Sequence, residues 1–162
     1  MTRSFLLMLG AFYALASGQQ MQCFSMTRYY VPNFKANWFR ATEHCFSFGM
    51  RIAIVPTPQD HNAVVEVIKQ SEIFNNESTI IWLGASDLAQ EGTYVWHATG
   101  ARLQYANWHP GQPDNYQGNE HCLALMNIPG QGWKWNANDG PCVGEHYFVC
   151  DNAEAYKQVG VF

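Results

Sequence analysis

The chain has 162 residues, 48% of them hydrophobic and 15% aromatic, which is enough apolar surface for one core of ordinary domain size and far too much for a disordered tail. Nine Lys and Arg against 13 Asp and Glu leave a formal net charge of −4, which excludes nucleic acid as the expected partner because nothing supplies a phosphate-gripping surface.

Residues 1–18 read as a secretory signal peptide. Arg3 is the basic start, Phe5 to Leu15 the short apolar run, and Ala14-Leu15-Ala16 or Ala16-Ser17-Gly18 the small-residue cleavage site. The run falls short of the roughly 20 residues that span a bilayer, so a secreted, extracellular product with no membrane span is expected. Residues 19–28 form an N-terminal segment carrying Cys23. With Cys45, Cys122, Cys142 and Cys150 it makes five cysteines, and in an oxidising compartment most of these pair. No C-x-x-C spacing points to zinc held by thiolates.

Arg28 to Val31 suggests an edge strand, closed by a turn at Pro32-Asn33. A helix follows, with Asn37 as N-cap, an apolar face of Trp38, Ala41, Cys45 and Phe48, and Gly49 just beyond its end. Arg51 to Val55 is strand-like. Thr57 then caps a second helix, with Pro58 at its first position and Asp60 completing a capping-box pattern. Its stripe is Val64, Val67, Ile68 and Ser71, and it closes at Asn75-Asn76. Asn76-Glu77-Ser78 is an N-glycosylation sequon placed after that helix end.

From Ile80 the period changes. Ile80 to Leu83, Tyr94 to Trp96, Cys122 to Met126 and Tyr147 to Cys150 are short aromatic or β-branched runs between Gly, Asn and Asp. Helices first and strands later make an α+β order. Asn107 to Glu120 has no periodicity, and a loop of that length in a compact domain is usually functional. Residues 152–162 read as a C-terminal tail.

The chemistry concentrates in that loop and just after it. Gln112-Pro113-Asp114 sets two side-chain oxygens about a proline, which holds both on one side when its preceding peptide bond is cis. Glu120 follows six residues after Asp114, and Asn138-Asp139 adds two more oxygens. Calcium takes six to eight oxygen ligands, from carboxylates and from neutral amide carbonyls, and this set fits it.

Trp82-Leu83-Gly84, Trp96, Asn107-Trp108, Gln112-Pro113-Asp114, Glu120-His121-Cys122 and Asn138-Asp139-Gly140-Pro141-Cys142 together resemble a C-type lectin domain, over residues 29–151. The resemblance implies the C-type lectin-like fold, with two helices flanking small antiparallel sheets and a long calcium- and sugar-binding loop. It implies disulfides Cys45–Cys150 and Cys122–Cys142, and a principal calcium ion held by Gln112, Asp114, Glu120, Asn138 and Asp139. In the family these residues also hydrogen-bond the sugar hydroxyls. The Gln-Pro-Asp order resembles the galactose-binding subgroup, and Tyr116 lies where its members often stack an aromatic on the sugar. An auxiliary calcium site is implied at Asp87, Glu91 and Asn115, sharing Glu120. Cys23 is left without an internal partner, so an interchain bond giving a homodimer stands beside a free or capped thiol.

Two positions depart from the family pattern. Ala137 replaces the Trp that usually precedes Asn-Asp, with Trp135 two residues earlier, and this leaves the strand register into the ligands open. The loop after Tyr116 is short, with Gly118 alone for support. The expected function is calcium-dependent binding of galactose or N-acetylgalactosamine-type glycans in recognition of microbial or cell surfaces, as in innate immunity. The alternative is a lectin-like module that meets a protein through the same loop. No nucleophile, acid and base grouping suggests an enzyme. His97, His109, His121 and His146 read as surface or packing residues, Trp82, Trp96 and Trp108 as core, and Trp133 as the tryptophan most open to a surface role.

Overall fold

Both helices begin where a short polar side chain replaces a missing backbone partner. In this computed structural model, which describes residues 28–152, Asn37 Oδ1 accepts the Arg40 N–H at 3.0 Å and α1 runs Trp38–Ser47. Thr57 Oγ1 accepts the Asp60 N–H at 3.2 Å and α2 runs Pro58–Lys69. The expected signal peptide, Cys23 and residues 153–162 of the expected tail lie outside the described residues. Among the described residues no helix is long and apolar enough to cross a membrane.

The strands are β1 Tyr29–Tyr30, β2 Arg51–Ile52, β3 Thr79–Ser86, β4 Val95–Trp96, β5 Cys122–Ile128, β6 Trp133–Gly140, β7 Tyr147–Phe148 and β8 Cys150–Asp151. One sheet has the order β1-β8-β2 and the other β4-β3-β5-β6, with β7 alongside β3. All pairs are antiparallel except β3 with β7. The run expected as one strand from Tyr147 to Cys150 is divided between the sheets. Phe148 pairs with Trp82, Cys150 pairs with Tyr30 and Ile52, and Val149 at the crossing is fully buried.

Two faces differ from the periodic reading. Trp38, Ala41 and Cys45 are buried, but Phe48 is 68% exposed because α1 ends at Ser47 and Phe48 is its C-cap, resting against His44 instead. On α2 the buried residues are His61, Val64, Val65 and Ile68. The stripe is therefore rotated from the expected one, Val67 lies at its half-buried edge, and Ser71 falls beyond the helix.

The core forms two adjoining clusters. One gathers Val64, Ile68, Leu83, Leu123, Leu125 and Val149 between α2 and the larger sheet. The other packs Trp38, Ile52, Trp82 and Phe148 around both disulfides. Cys45–Cys150 ties α1 to β8 across 105 positions, and Cys122–Cys142 ties the start of β5 to the chain leaving β6. In the chain-entropy description the longer closure contributes about 4 to 5 kcal/mol. Both indole N–H groups of the second cluster have carbonyl partners, Trp38 on Leu83 at 2.8 Å and Trp82 on Gly144 at 3.1 Å. At the far end Asp151 is wholly buried. Burial pushes its pKa up, and Arg51 at 3.3 Å and Arg28 at 3.5 Å act against that shift.

At Gly84, β3 lies against the end of β2. A Cβ there would stand 2.8 Å from the Ile52 carbonyl oxygen and 2.9 Å from its Cγ2, and the backbone contact has no room to yield. Gly84→Ala is expected to cost about 1 to 3 kcal/mol, seen as a lower denaturation midpoint by circular dichroism. An unchanged midpoint would show that the two segments separate freely.

Candidate metal centre and binding loop

The loop from Asn107 is built onto the open edge of β6. Ala137 N–H donates to the Asn107 carbonyl at 2.7 Å, His109 N–H donates to the Ala137 carbonyl at 3.0 Å, and Asn107 Nδ2 donates to the Trp135 carbonyl at 3.1 Å. Ala137 is buried and stands opposite Leu125, so the strand runs in register into Asn138 and Asp139. The register shift falls earlier, between Met126 and Asn127, where Trp135 adopts a positive φ of 59° and lies stacked on Phe74. Trp82 and Trp96 are core residues. Trp108 is only half-buried, packed against Tyr94, and Trp133 stacks on His109 with ring centroids 3.9 Å apart.

Further along, the Gln112–Pro113 peptide is cis. Gln112 Oε1 accepts the Asp114 N–H at 3.1 Å. The fully buried Asp139 carboxylate accepts the N–H of Asn115 at 2.8 Å and that of Asp114 at 3.3 Å. Glu120 Oε2 accepts the Tyr116 N–H at 3.3 Å, and Glu120 N–H donates to Asn115 Oδ1 at 3.0 Å. Carboxylate oxygens of Asp114, Glu120 and Asp139 thereby lie within 4.8 Å of one another. Asn138 flanks them, its Nδ2 donating to the Asp139 carbonyl. Tyr116 stands 64% exposed at the short 3-10 turn Tyr116–Gly118.

Three like charges this close are costly without a cation. Partial burial pushes the Glu120 pKa up, Asp139 and Asp114 add to the shift, and the Tyr116 N–H acts against it. A divalent ion relieves that repulsion, and an all-oxygen donor set suits calcium.

The set expected around Asp87 is arranged differently. Asp87 and Glu91 do meet, and their third neighbour is His121, with atoms of the three within 4.8 Å of one another. His121 Nδ1 lies 3.0 Å from Asp87 Oδ1 and 3.5 Å from Glu91 Oε2. Asn115 holds Glu91 from the side, Nδ2 to Oε2 at 2.7 Å, while Glu120 belongs to the other cluster. Adjacent residues of an extended segment face opposite ways, and that alternation was the available signal that His121 leaves the Glu120 side. The buried Tyr94 hydroxyl faces the Asp139 carboxylate. Burial raises its pKa, as do the charges of Asp139, Asp87 and Glu91. Asn76 is exposed between α2 and β3.

Two helices and two small sheets, braced by two disulfides and presenting a long loop with a carboxylate cluster along β6, make up the C-type lectin fold. The carbohydrate-recognition domain of the mouse scavenger receptor C-type lectin matches it with a TM-score of 0.61 at 25% identity, over 75% of this chain and 84% of that one. The Lectin C-type domain family model matches residues 34–152, and the chain belongs to that family. It is 40% identical to salivary C-type lectin 1 of Aedes albopictus, over 82% of this chain and 86% of the relative. It is 37% identical to C-type lectin 16 of Aedes aegypti, over 85% and 89%. The family's proteins are carbohydrate-binding and non-enzymatic.

Glu120 makes the ion-free protein's stability depend on pH. Its folded pKa lies above the ordinary 4.5, so its contribution is fully present below the unfolded value and is lost as pH rises through the folded one. In chelator, the melting temperature of the native chain relative to Glu120→Gln should fall as pH climbs from about 4 to about 7. The comparison removes the effect of Asp151, which is common to both proteins. A difference that stays flat with pH would contradict the charge crowding at Glu120.

Proposed function

We propose that the chain is a secreted, calcium-dependent lectin for galactose or N-acetylgalactosamine-type glycans, bound through Gln112, Asp114, Glu120, Asn138 and Asp139. The observation that carries this reading is the all-oxygen cluster of Asp114, Glu120 and Asp139 beside the Gln112 and Asn138 amides. Calcium accepts six to eight oxygens, so an ion held by part of this shell has positions left for two neighbouring sugar hydroxyls. The carboxylates accept hydrogen bonds from those hydroxyls, and the amides donate or accept, which fixes the orientation of the ring.

Two features support galactose over mannose: the Gln-Pro-Asp order, and the exposed Tyr116 ring, whose face suits the apolar side of a galactose-type ring. Secretion is supported by the leader-like residues 1–18 and by the salivary lectin among the relatives. A Cys23-linked dimer would pair two shallow sites, and pairing raises avidity without new contacts. The role that follows is recognition of glycans on microbial or cell surfaces.

The test is retention of the purified protein on immobilised galactose and on immobilised mannose, with calcium, with chelator, and as Asp114→Ala. Retention on galactose should need calcium and should fall about tenfold or more in the variant. It should also be lost on mild acidification, because protonation of Glu120 removes ligand charge. A folded protein held by neither sugar would sink the proposal in favour of a protein partner at the same loop. Retention that survives chelator would sink the calcium assignment.

A further inference from the structure

Away from the carboxylate clusters, α1 turns an apolar face outward. Phe39 and Phe46 are 45% and 48% exposed, and Leu88, on the turn after β3, is 49% exposed. These three side chains are not scattered over the surface. They line one cavity of about 520 Å³ between α1, that turn and β4, and its size falls within the range of small-molecule sites. In the larger sheet β4 and β6 are at opposite ends of the strand order, so the cavity stands at the other edge from the one that carries the long loop.

The floor of the cavity is fixed by packing. Trp38 is buried and its indole N–H donates to the Leu83 carbonyl at 2.8 Å, while the rings of Phe39 and His97 stand edge-on to it with centroids 5.6 and 5.4 Å away. The polar groups of the wall share one character. Thr42 donates its hydroxyl hydrogen to the Trp38 carbonyl at 2.9 Å, which leaves its oxygen with acceptor capacity alone. The Glu43 carboxylate is an acceptor too, and among the described residues it has no ion-pair partner. No described Lys or Arg lines the cavity. Aromatic walls are thus combined with an uncompensated negative charge.

We propose that this cavity is a second binding site, for a small organic cation that carries an ammonium group on an aromatic frame. Charge complementarity selects the cation: an ammonium donates to the Glu43 carboxylate, whereas an anion would meet that carboxylate with no Lys or Arg to offset it. Glu43 lies four residues after Phe39 and three before Phe46, so the three share one face of α1. A positive group held at Glu43 therefore comes near two aromatic rings, and cations are attracted to aromatic faces. The flat apolar part of the same ligand covers Phe39, Phe46 and Leu88, removing from water the surface that α1 leaves exposed.

The experiment is calorimetric titration of the purified protein, in calcium, with naphthylmethylamine, naphthylmethanol and naphthoate, which share a ring system and differ in charge. The amine should bind once per chain and about tenfold more tightly than the alcohol, with naphthoate the weakest of the three. Glu43→Gln should bring the amine down to the affinity of the alcohol and leave the alcohol unchanged, while Phe46→Ala should weaken both. Glu43 and Phe46 are exposed, and near-ultraviolet circular dichroism checks that the variants fold. If Phe46→Ala does not, the exposed Leu88→Ala takes its place. Amine affinity unchanged in Glu43→Gln, equal binding of the three probes, or binding of none of them would each overturn the proposal, the last in favour of a protein covering this face. No sugar is used, so failure here is distinguishable from failure of the lectin reading.

Discussion

The Asp139 carboxylate is wholly buried at the point where β6 meets the loop, and both of its oxygens are taken by backbone N–H groups of that loop, those of Asp114 and Asn115. A carboxylate removed from water costs several kcal/mol, and hydrogen bonds to a charged acceptor return about 1.5 to 3 kcal/mol each. The loop is thus folded around an anion, and the anion is tolerable only where the loop closes on it. Asp114 and Asn115 are positioned through their backbones, and Glu120 through Asn115 and the Tyr116 N–H. A substitution at Asp139 would therefore disturb the whole cluster as well as remove one carboxylate.

Asp139 can be rigid because β6 is. It pairs with Leu123 of β5, and Asn138 pairs with Ala124, in the most extensive ladder among the described residues. The Cys122–Cys142 bond closes that ladder at its Asp139 end. Beneath it Trp82, 0% exposed, fills the space between the sheet and the two segments that hold Ala36 and Gly144. Ala137 also bears on the site. Its carbonyl and N–H are the two groups onto which Asn107 and His109 dock, so the small residue lies where the long loop joins the sheet.

Local features were readable in the sequence and tertiary ones were not. Asn37 and Thr57 announced the two helix starts because a cap acts on residues two or three positions away. Phe48 fitted the apolar period, yet the period says nothing about where a helix stops; Gly49, with φ of 68°, was the residue that marked it. Trp135 gave no sign that it would sit in a bulge, since a bulge is defined by the partner strand. Gln112, Asp114, Glu120 and Asp139 were named together through a family resemblance, and the structure brings their side chains to one place. Asp87 and His121 are 34 positions apart, and only the pairing of β3 with β5 makes them neighbours.

The two clusters differ in kind because of one alternation in the chain. Glu120 turns toward Asp114 and Asp139 and His121 toward Asp87 and Glu91, so one group contains oxygen alone and the other adds a nitrogen. Between them stands Asn115, held in the left-handed region at φ 43°, with its N–H on Asp139, its side-chain nitrogen on Glu91 and its oxygen on the Glu120 N–H. An asparagine tolerates that backbone conformation better than most residues, and its amide offers both a donor and an acceptor. An aspartate there would keep the acceptor toward Glu120 but would set a negative charge against Glu91, where the amide now donates. The neutral side chain is what allows two acidic clusters to lie this close together.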